Sequence, residues 1–136
     1  LEIANTHYHE VLLLDADNYI SEGGGENIFL VKENNLYTPK LGNILAGITR
    51  DTVFKLADDH GIQVREKRIS RDEVYIADEA FFTGTAAEIV PIREYDSRII
   101  GSGKRGPVAT ALQAAYFDVV RGKNDKYAKW LAPVAE

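Results

Sequence analysis

Residues 21–29 read SEGGGENIF: three consecutive glycines lie between Glu22 and Glu26, and an apolar run with strand character follows. Glycine accepts backbone conformations that other residues resist and lets a ligand come close to the main chain. A carboxylate on either side of such a turn can be aimed at something bound there. Taken alone, Glu22 and Glu26 read more readily as solvated carboxylates beside a flexible turn than as ligand groups.

Outward from this turn, residues 11–14 (VLLL) form an apolar run expected to be a short buried strand, and residues 15–18 (DADN) have turn chemistry. Residues 27–31 read as a strand, 33–35 as a hairpin turn and 36–38 as the returning strand. Residues 39–47 form a loop punctuated by Pro39, Gly42 and Gly47. From Thr49 the period changes. Val53, Leu56, Ala57 and His60 recur at helical spacing, with Thr49 as the N-cap, Asp51 in the first turn and Gly61 as the stop. Ile62, Val64 and Glu66 continue as a strand, and the capping box Ser70-x-x-Glu73 starts a short helix through Ile76. Residues 79–83 and 88–92 are further strands, and 95–100 a hairpin excursion. Pro107 opens a helix with Val108, Leu112, Ala115, Tyr116 and Val119 as its apolar stripe, ended by Gly122. Trp130 is expected to pack back on the body. The class is mixed α and β, with short strands interrupted by helices, and no linker divides residues 1–136 into two domains.

The 136 residues suit one modest domain, and 45% apolar with 27% charged residues is ordinary for a soluble globular protein. No stretch is long or apolar enough to span a bilayer, and a net charge of −5 argues against nucleic acid or an anionic membrane as partner. There is no Cys, which excludes disulfides and thiolate metal sites, and His7 and His9 lack an obvious third ligand, so no metal site is expected. The chain contains no Met, and its start (LEIANTHYHEV) reads like the middle of an element, which leads to the expectation of a piece of a longer polypeptide.

Two further stretches have chemical character. At residues 45–50 (LAGITR) a glycine-bearing loop runs straight into a helix start. The first N–H groups of a helix lack intrahelical partners and sit at the positive end of its dipole, so a phosphate is a natural occupant, bonded by Ile48 and Thr49. A merely well-capped helix looks the same. Residues 83–87 (TGTAA) place small side chains at a strand end, where exposed N–H groups and the Thr85 hydroxyl can hold a carboxylate or another side of a phosphate. A close-packed strand end is the bland alternative. Nucleophile motifs of the G-x-S-x-G type are missing.

Together, E-G-G-G-E-N-I-F, L-Y-T and L-A-G-I-T-R resemble the class IV (fold type IV) pyridoxal-phosphate aminotransferase signature, with Glu22, Asn27, Phe29, Thr38, Gly47, Ile48 and Arg50 at matching spacings. The GITR loop, the T-G-T-A-A-E-I-V-P run and the tail G-P-V…Q-A-A-Y-F-D-V-V-R-G…W-L are similar to branched-chain-amino-acid aminotransferases in particular. The resemblance implies an α+β cofactor-binding C-terminal domain, with short strands in a barrel-like sheet and flanking helices. It implies pyridoxal 5'-phosphate held by Glu22 at the pyridine nitrogen, by Leu45 against the ring, and by Ile48, Thr49 and Thr85 at the phosphate. Gly25, Thr85 and Ala86 would receive the substrate. An opposite charge favours the protonated ring nitrogen, and a protonated ring is the electron sink of the reaction.

The implied activity moves an amino group between leucine, isoleucine or valine and 2-oxoglutarate, in a cytoplasmic homodimer or higher oligomer. Small amino and 2-oxo acids would then be the partners, with no nucleic acid and no membrane. One departure stands out. The family's Schiff-base lysine lies upstream of the glutamate, whereas all eight lysines here follow Glu22 and none matches that motif. No catalytic residue is therefore expected in this chain, and the chain alone is expected to be inactive. A D-amino-acid aminotransferase, an aminodeoxychorismate lyase, or a non-catalytic phosphate-binding module are the alternatives.

Overall fold

The computed structural model describes residues 8–40, 47–85 and 88–131. β1 (Leu12–Leu14) and β2 (Ile20–Gly23) pair antiparallel across the predicted turn. β3 (Asn27–Lys32), β4 (Asn35–Thr38), β5 (Val64–Glu66), β6 (Glu79–Gly84) and β7 (Glu88–Pro91) form a five-stranded sheet in the order β5-β4-β3-β6-β7. Its pairs are antiparallel except β4–β5, which are parallel and joined through α1 (Ile48–Asp59). α2 (Arg71–Tyr75) follows β5, the small hairpin β8 (Glu94–Tyr95) and β9 (Arg98–Ile99) follows β7, and α3 (Pro107–Val120) leads into a 3-10 helix at Asp125–Trp130. The mixed class expected from the sequence holds.

β3 is the centre of the molecule, and its alternation explains why it reads as an unbroken apolar run. Phe29 and Val31 point to one side of the sheet, into a core with Val53 and Leu56 of α1 and Val108 and Leu112 of α3. Ile28 and Leu30 point to the other, into a core with Ile20, Ile69 and Val74. A strand covered on both faces has no polar side to alternate with. Phe29 stacks on Phe81 at 5.3 Å and meets Phe54 edge-on at 6.0 Å, so truncating it to alanine costs about 3–5 kcal/mol.

Local differences from the sequence reading have physical causes. The β3–β4 turn is only Glu33-Asn34, with φ of 52° and 62°, a two-residue hairpin in which Asn35 already belongs to the returning strand. The apolar run at β1 is only partly buried: Leu12 packs against a core, but Leu13 and Leu14 are exposed, because among the described residues β1 pairs with β2 alone. Thr49 is not the N-cap of α1. Gly47 holds that place without any side-chain cap, and Thr49 lies buried inside the first turn. The capping box at Ser70 and Glu73 forms as expected. Trp130 stacks on Tyr127 and carries Lys55 over its ring at 4.7 Å.

Candidate functional site

The β3–β6 ladder sets out the site. Its rungs are Asn27↔Thr83, Ile28↔Phe82, Phe29↔Phe81, Leu30↔Ala80 and Val31↔Glu79. Directly opposed residues share a face, so Asn27 with Thr83, Phe29 with Phe81, and Val31 with Glu79 all look toward the helices α1 and α3. The aromatic rung packs the middle of the core, and the polar side chains fall at the two ends. Each polar end meets a helix N-terminus.

At one end, Glu79 is buried and its carboxylate accepts from the Val108 N–H at 3.0 Å and the Ala109 N–H at 2.9 Å. It thereby caps α3, whose N-cap is Gly106 and whose first residue is Pro107. A Cβ on Gly106 would lie 2.1 Å from the Glu79 carboxyl carbon, so only glycine leaves room for it. At the other end, Asn27 lies against the start of α1: a Cβ on Gly47 would fall 2.3 Å from Asn27 Oδ1. Gly47 has φ −102°, which any residue adopts, so glycine is required there by space rather than by conformation. The Asp51 N–H bonds back to the Gly47 carbonyl, which leaves the N–H groups of Ile48, Thr49 and Arg50 without intrahelical acceptors. Ile48 is 82% exposed, so the outer side of this helix start opens to solvent.

The glycine turn borders the same end. Gly23 closes it with an N–H bond to the Glu26 carbonyl at 2.7 Å. A Cβ on Gly23 would meet the Phe82 ring at 2.8 Å, and one on Gly24 would meet Glu10 Oε1 at 2.8 Å. Two of the three glycines therefore make room for the protein's own side chains rather than for a ligand. Gly25 is different, with φ +149° and nothing within 4 Å of a Cβ. Gly84, at the end of β6, lies against this turn, since its Cβ would meet Glu26 Cγ at 3.2 Å and the Gly25 carbonyl at 3.4 Å. The start of α1, the end of β6 and the glycine turn thus converge, although 20 to 60 residues of chain separate them.

Of the sequence-predicted residues, Glu22 sits half-buried on β2 opposite Leu13, Ile48 and Thr49 form the first turn of α1, and Thr85 follows β6 and is exposed. Gly25 is exposed at the turn. Leu45 and Ala86 lie outside the described residues. Among the described residues no three His, Cys, Asp or Glu side chains group as metal ligands, and no helix is long and apolar enough to cross a membrane.

Three features tune the polarity of this end. Arg50 is buried in the first turn of α1, donating to the Pro39 carbonyl at 3.2 Å and to Glu66 at 2.9 Å, with its guanidinium 4.7 Å over the Phe54 ring. A cation in the first turn opposes the helix dipole, and the Glu66 carboxylate offsets its charge. The Thr83 hydroxyl is buried with no hydrogen-bond partner, an orphan polar atom on the same rung as Asn27. Burial, and then the Glu10 carboxylate, push the Glu26 carboxyl above its usual value. A separate groove of about 680 Å³ runs between residues 8–12 and the β7–β8 region, away from the α1 start.

Sequence reasoning passed over Asn27 and Thr83 as site residues. Asn27 belongs to the matched signature, but its place under Gly47 comes from strand register, which no local pattern reveals.

Residues 1–95 match the family model "Amino-transferase class IV". A branched-chain-amino-acid aminotransferase of Pseudomonas aeruginosa is 59% identical over 121 residues, covering 89% of this chain and 39% of the relative. The branched-chain amino acid aminotransferase of Thermobaculum terrenum in its PLP form superposes with a TM-score of 0.95 at 40% identity, over 99% of this chain and 45% of that one. That of Thermoproteus uzoniensis with norvaline gives 0.89 at 49% identity, over 93% and 42%. The chain spans less than half the length of these relatives. Its own motifs, and a family match over most of its residues, make it a member of the class IV aminotransferases.

Proposed function

We propose that the α1 start and the β6 end form the phosphate cradle of pyridoxal 5'-phosphate, in a protein that transaminates branched-chain L-amino acids with 2-oxoglutarate. The observation that carries this reading is the uncapped, open start of α1 beside Gly84 and Gly25. N–H groups without intrahelical acceptors and the positive end of a twelve-residue helix suit a doubly charged phosphate. The orphan Thr83 hydroxyl and the neutral Asn27 amide fit the same group, since neither adds negative charge. When bound, the cofactor supplies an electron-withdrawing ring that makes the α-proton of an amino acid acidic.

The remaining work falls to this chain's own residues. The Ile48 and Thr49 N–H groups hold the phosphate, with the Thr85 hydroxyl as a further donor. Glu22 keeps a proton on the ring nitrogen by placing a carboxylate beside it. The family resemblance would assign Leu45 to the face of the ring. Gly25, Thr85 and Ala86 receive the substrate, the two N–H groups of Thr85 and Ala86 taking its carboxylate. Proton transfer at the α-carbon requires a lysine outside the matched stretches, so activity belongs to the whole protein, which we take to be a cytoplasmic homodimer or higher oligomer.

The test is turnover of leucine and 2-oxoglutarate, with pyridoxal phosphate added, by the native gene product and by residues 1–136 alone. The native protein is expected to turn over and the 136 residues to show none. Turnover by the 136 residues alone, or none by the native protein, contradicts the proposal. Light scattering on the native protein checks the oligomer.

A further inference from the structure

Arg50 is among the largest side chains that the fold buries, at 2% exposed, and its setting is an awkward one for a cation. It sits in the first turn of α1, where a positive charge opposes the helix dipole, and its Nε has no hydrogen-bond partner among the described residues. A buried charge with an incomplete set of bonds stabilises a fold poorly, and an apolar side chain of similar size often does as well or better. What an apolar side chain cannot do is hold a carbonyl. Through Nη2, Arg50 donates to the Pro39 carbonyl at 3.2 Å and to Glu66 Oε1 at 2.9 Å.

The two acceptors lie side by side. β4 and β5 run parallel with Thr38 opposite Glu66, so Pro39 and Glu66 mark the C-terminal edge of the pair. Arg50 therefore pins the first turn of α1 to the ends of both strands, with its guanidinium 4.7 Å over the Phe54 ring one turn further along the helix. Pro39 is buried, so its carbonyl needs a donor from within the chain. The bond from Arg50 spans 11 positions and draws together the two ends of the connection that contains Leu45.

We infer that Arg50 is a positioning residue of the cofactor site: its bond to Pro39 sets the α1 start against the chain that leads to Leu45, without touching the cofactor. This rests on the proposed cofactor reading, in which Leu45 serves the ring and Ile48 and Thr49 serve the phosphate. A ligand that spans both, such as pyridoxal phosphate, gains when the two are held at one spacing. A ligand that reaches only one of them does not.

The test substitutes Arg50→Met, of similar reach but without a donor, and separately Glu66→Gln, whose amide oxygen still accepts. Both are made in the native gene product, freed of cofactor and titrated with pyridoxal phosphate, pyridoxal and inorganic phosphate, with thermal melting as a fold check. R50M is expected to melt within about 5 °C of wild type, yet to bind pyridoxal phosphate at least about tenfold more weakly. Its affinities for pyridoxal and for inorganic phosphate should each change by less than about threefold. E66Q should keep all three affinities within about threefold, which separates the bond to Pro39 from the ion pair. An Arg50 that attracted phosphate by its charge would lose inorganic phosphate as much as pyridoxal phosphate. One that served the fold alone would leave every affinity unchanged in R50M, or leave R50M unfolded. Any of these results, or a loss in E66Q equal to that in R50M, overturns the inference. Failure of the wild type to bind pyridoxal phosphate would instead overturn the cofactor reading itself.

Discussion

The two ends of the β3–β6 ladder face the same chemical problem and solve it differently. A helix start buried against a sheet exposes N–H groups that must find acceptors. At α3 the acceptor is Glu79, from within the chain, and the helix start is finished. At α1 the corresponding place is taken by the neutral Asn27, the cap is a bare Gly47, and Ile48 faces solvent. The difference shows that an uncapped helix start is informative only beside one that the same fold has capped.

Breaking the closed end should have the largest effect. Glu79→Ala strands two buried N–H groups and is expected to cost about 3 kcal/mol in urea unfolding while leaving phosphate affinity unchanged. A matching loss of phosphate affinity would show that the two ends are not independent. Gly47→Ala strikes the open end by forcing a Cβ into Asn27 Oδ1, with an expected cost of about 2 kcal/mol and about tenfold in pyridoxal phosphate affinity. Unchanged affinity in a fluorescence titration would mean that the height of the α1 start does not matter. At the far end of α1, Asp59 accepts from Lys126 and, at 2.5 Å, from the Tyr127 hydroxyl. Tyr127→Phe should lose about 1 kcal/mol by thermal unfolding without touching affinity.

The smallest effect is one of pH, and its sign differs between the two ends of α1. Hydrogen bonds from Lys126 and then Tyr127 hold the Asp59 carboxyl below its usual 3.8, so its stabilisation is present above that value and is lost as pH falls through the lower folded pKa. Near the α1 start, Glu26 is held above 4.5 by burial and by Glu10. The folded state keeps that proton longer than the unfolded one, so stability falls as pH rises from 4.5 through the raised folded pKa. Urea midpoints from about pH 4 to about pH 7 should therefore drop for wild type relative to Glu26→Gln, and parallel curves would refute the assignment.

Much of this fold is legible in the sequence because its signals are local. The Ser70 capping box, Pro107 opening α3 and the helical period from Val53 to His60 each depend on residues within a few positions. What the sequence hides depends on register and packing. The run at residues 11–14 looks like a buried strand, yet pairing at the periphery leaves Leu13 and Leu14 exposed. Thr49 has the chemistry of a cap, but Asn27 demands a glycine one turn-entry earlier, so Gly47 takes the place. The glycine run suggests clearance for a ligand, whereas Gly23 and Gly24 yield to Phe82 and Glu10 and only Gly25 faces open space. The family signature marks a candidate site as a set of spacings. Which of its residues touch one another depends on contacts between β3, β6 and α1, up to 56 positions apart along the chain from Asn27 to Thr83.

The central claim is that α1, unlike α3, is open to an anion. Titrating the isotope-labelled protein with inorganic phosphate and following backbone amide resonances tests it most directly. Saturable shifts at Ile48 and Thr49, with Val108 and Ala109 unmoved, are the expected result. No saturable shift at Ile48 and Thr49, or equal shifts at both helix starts, would contradict it.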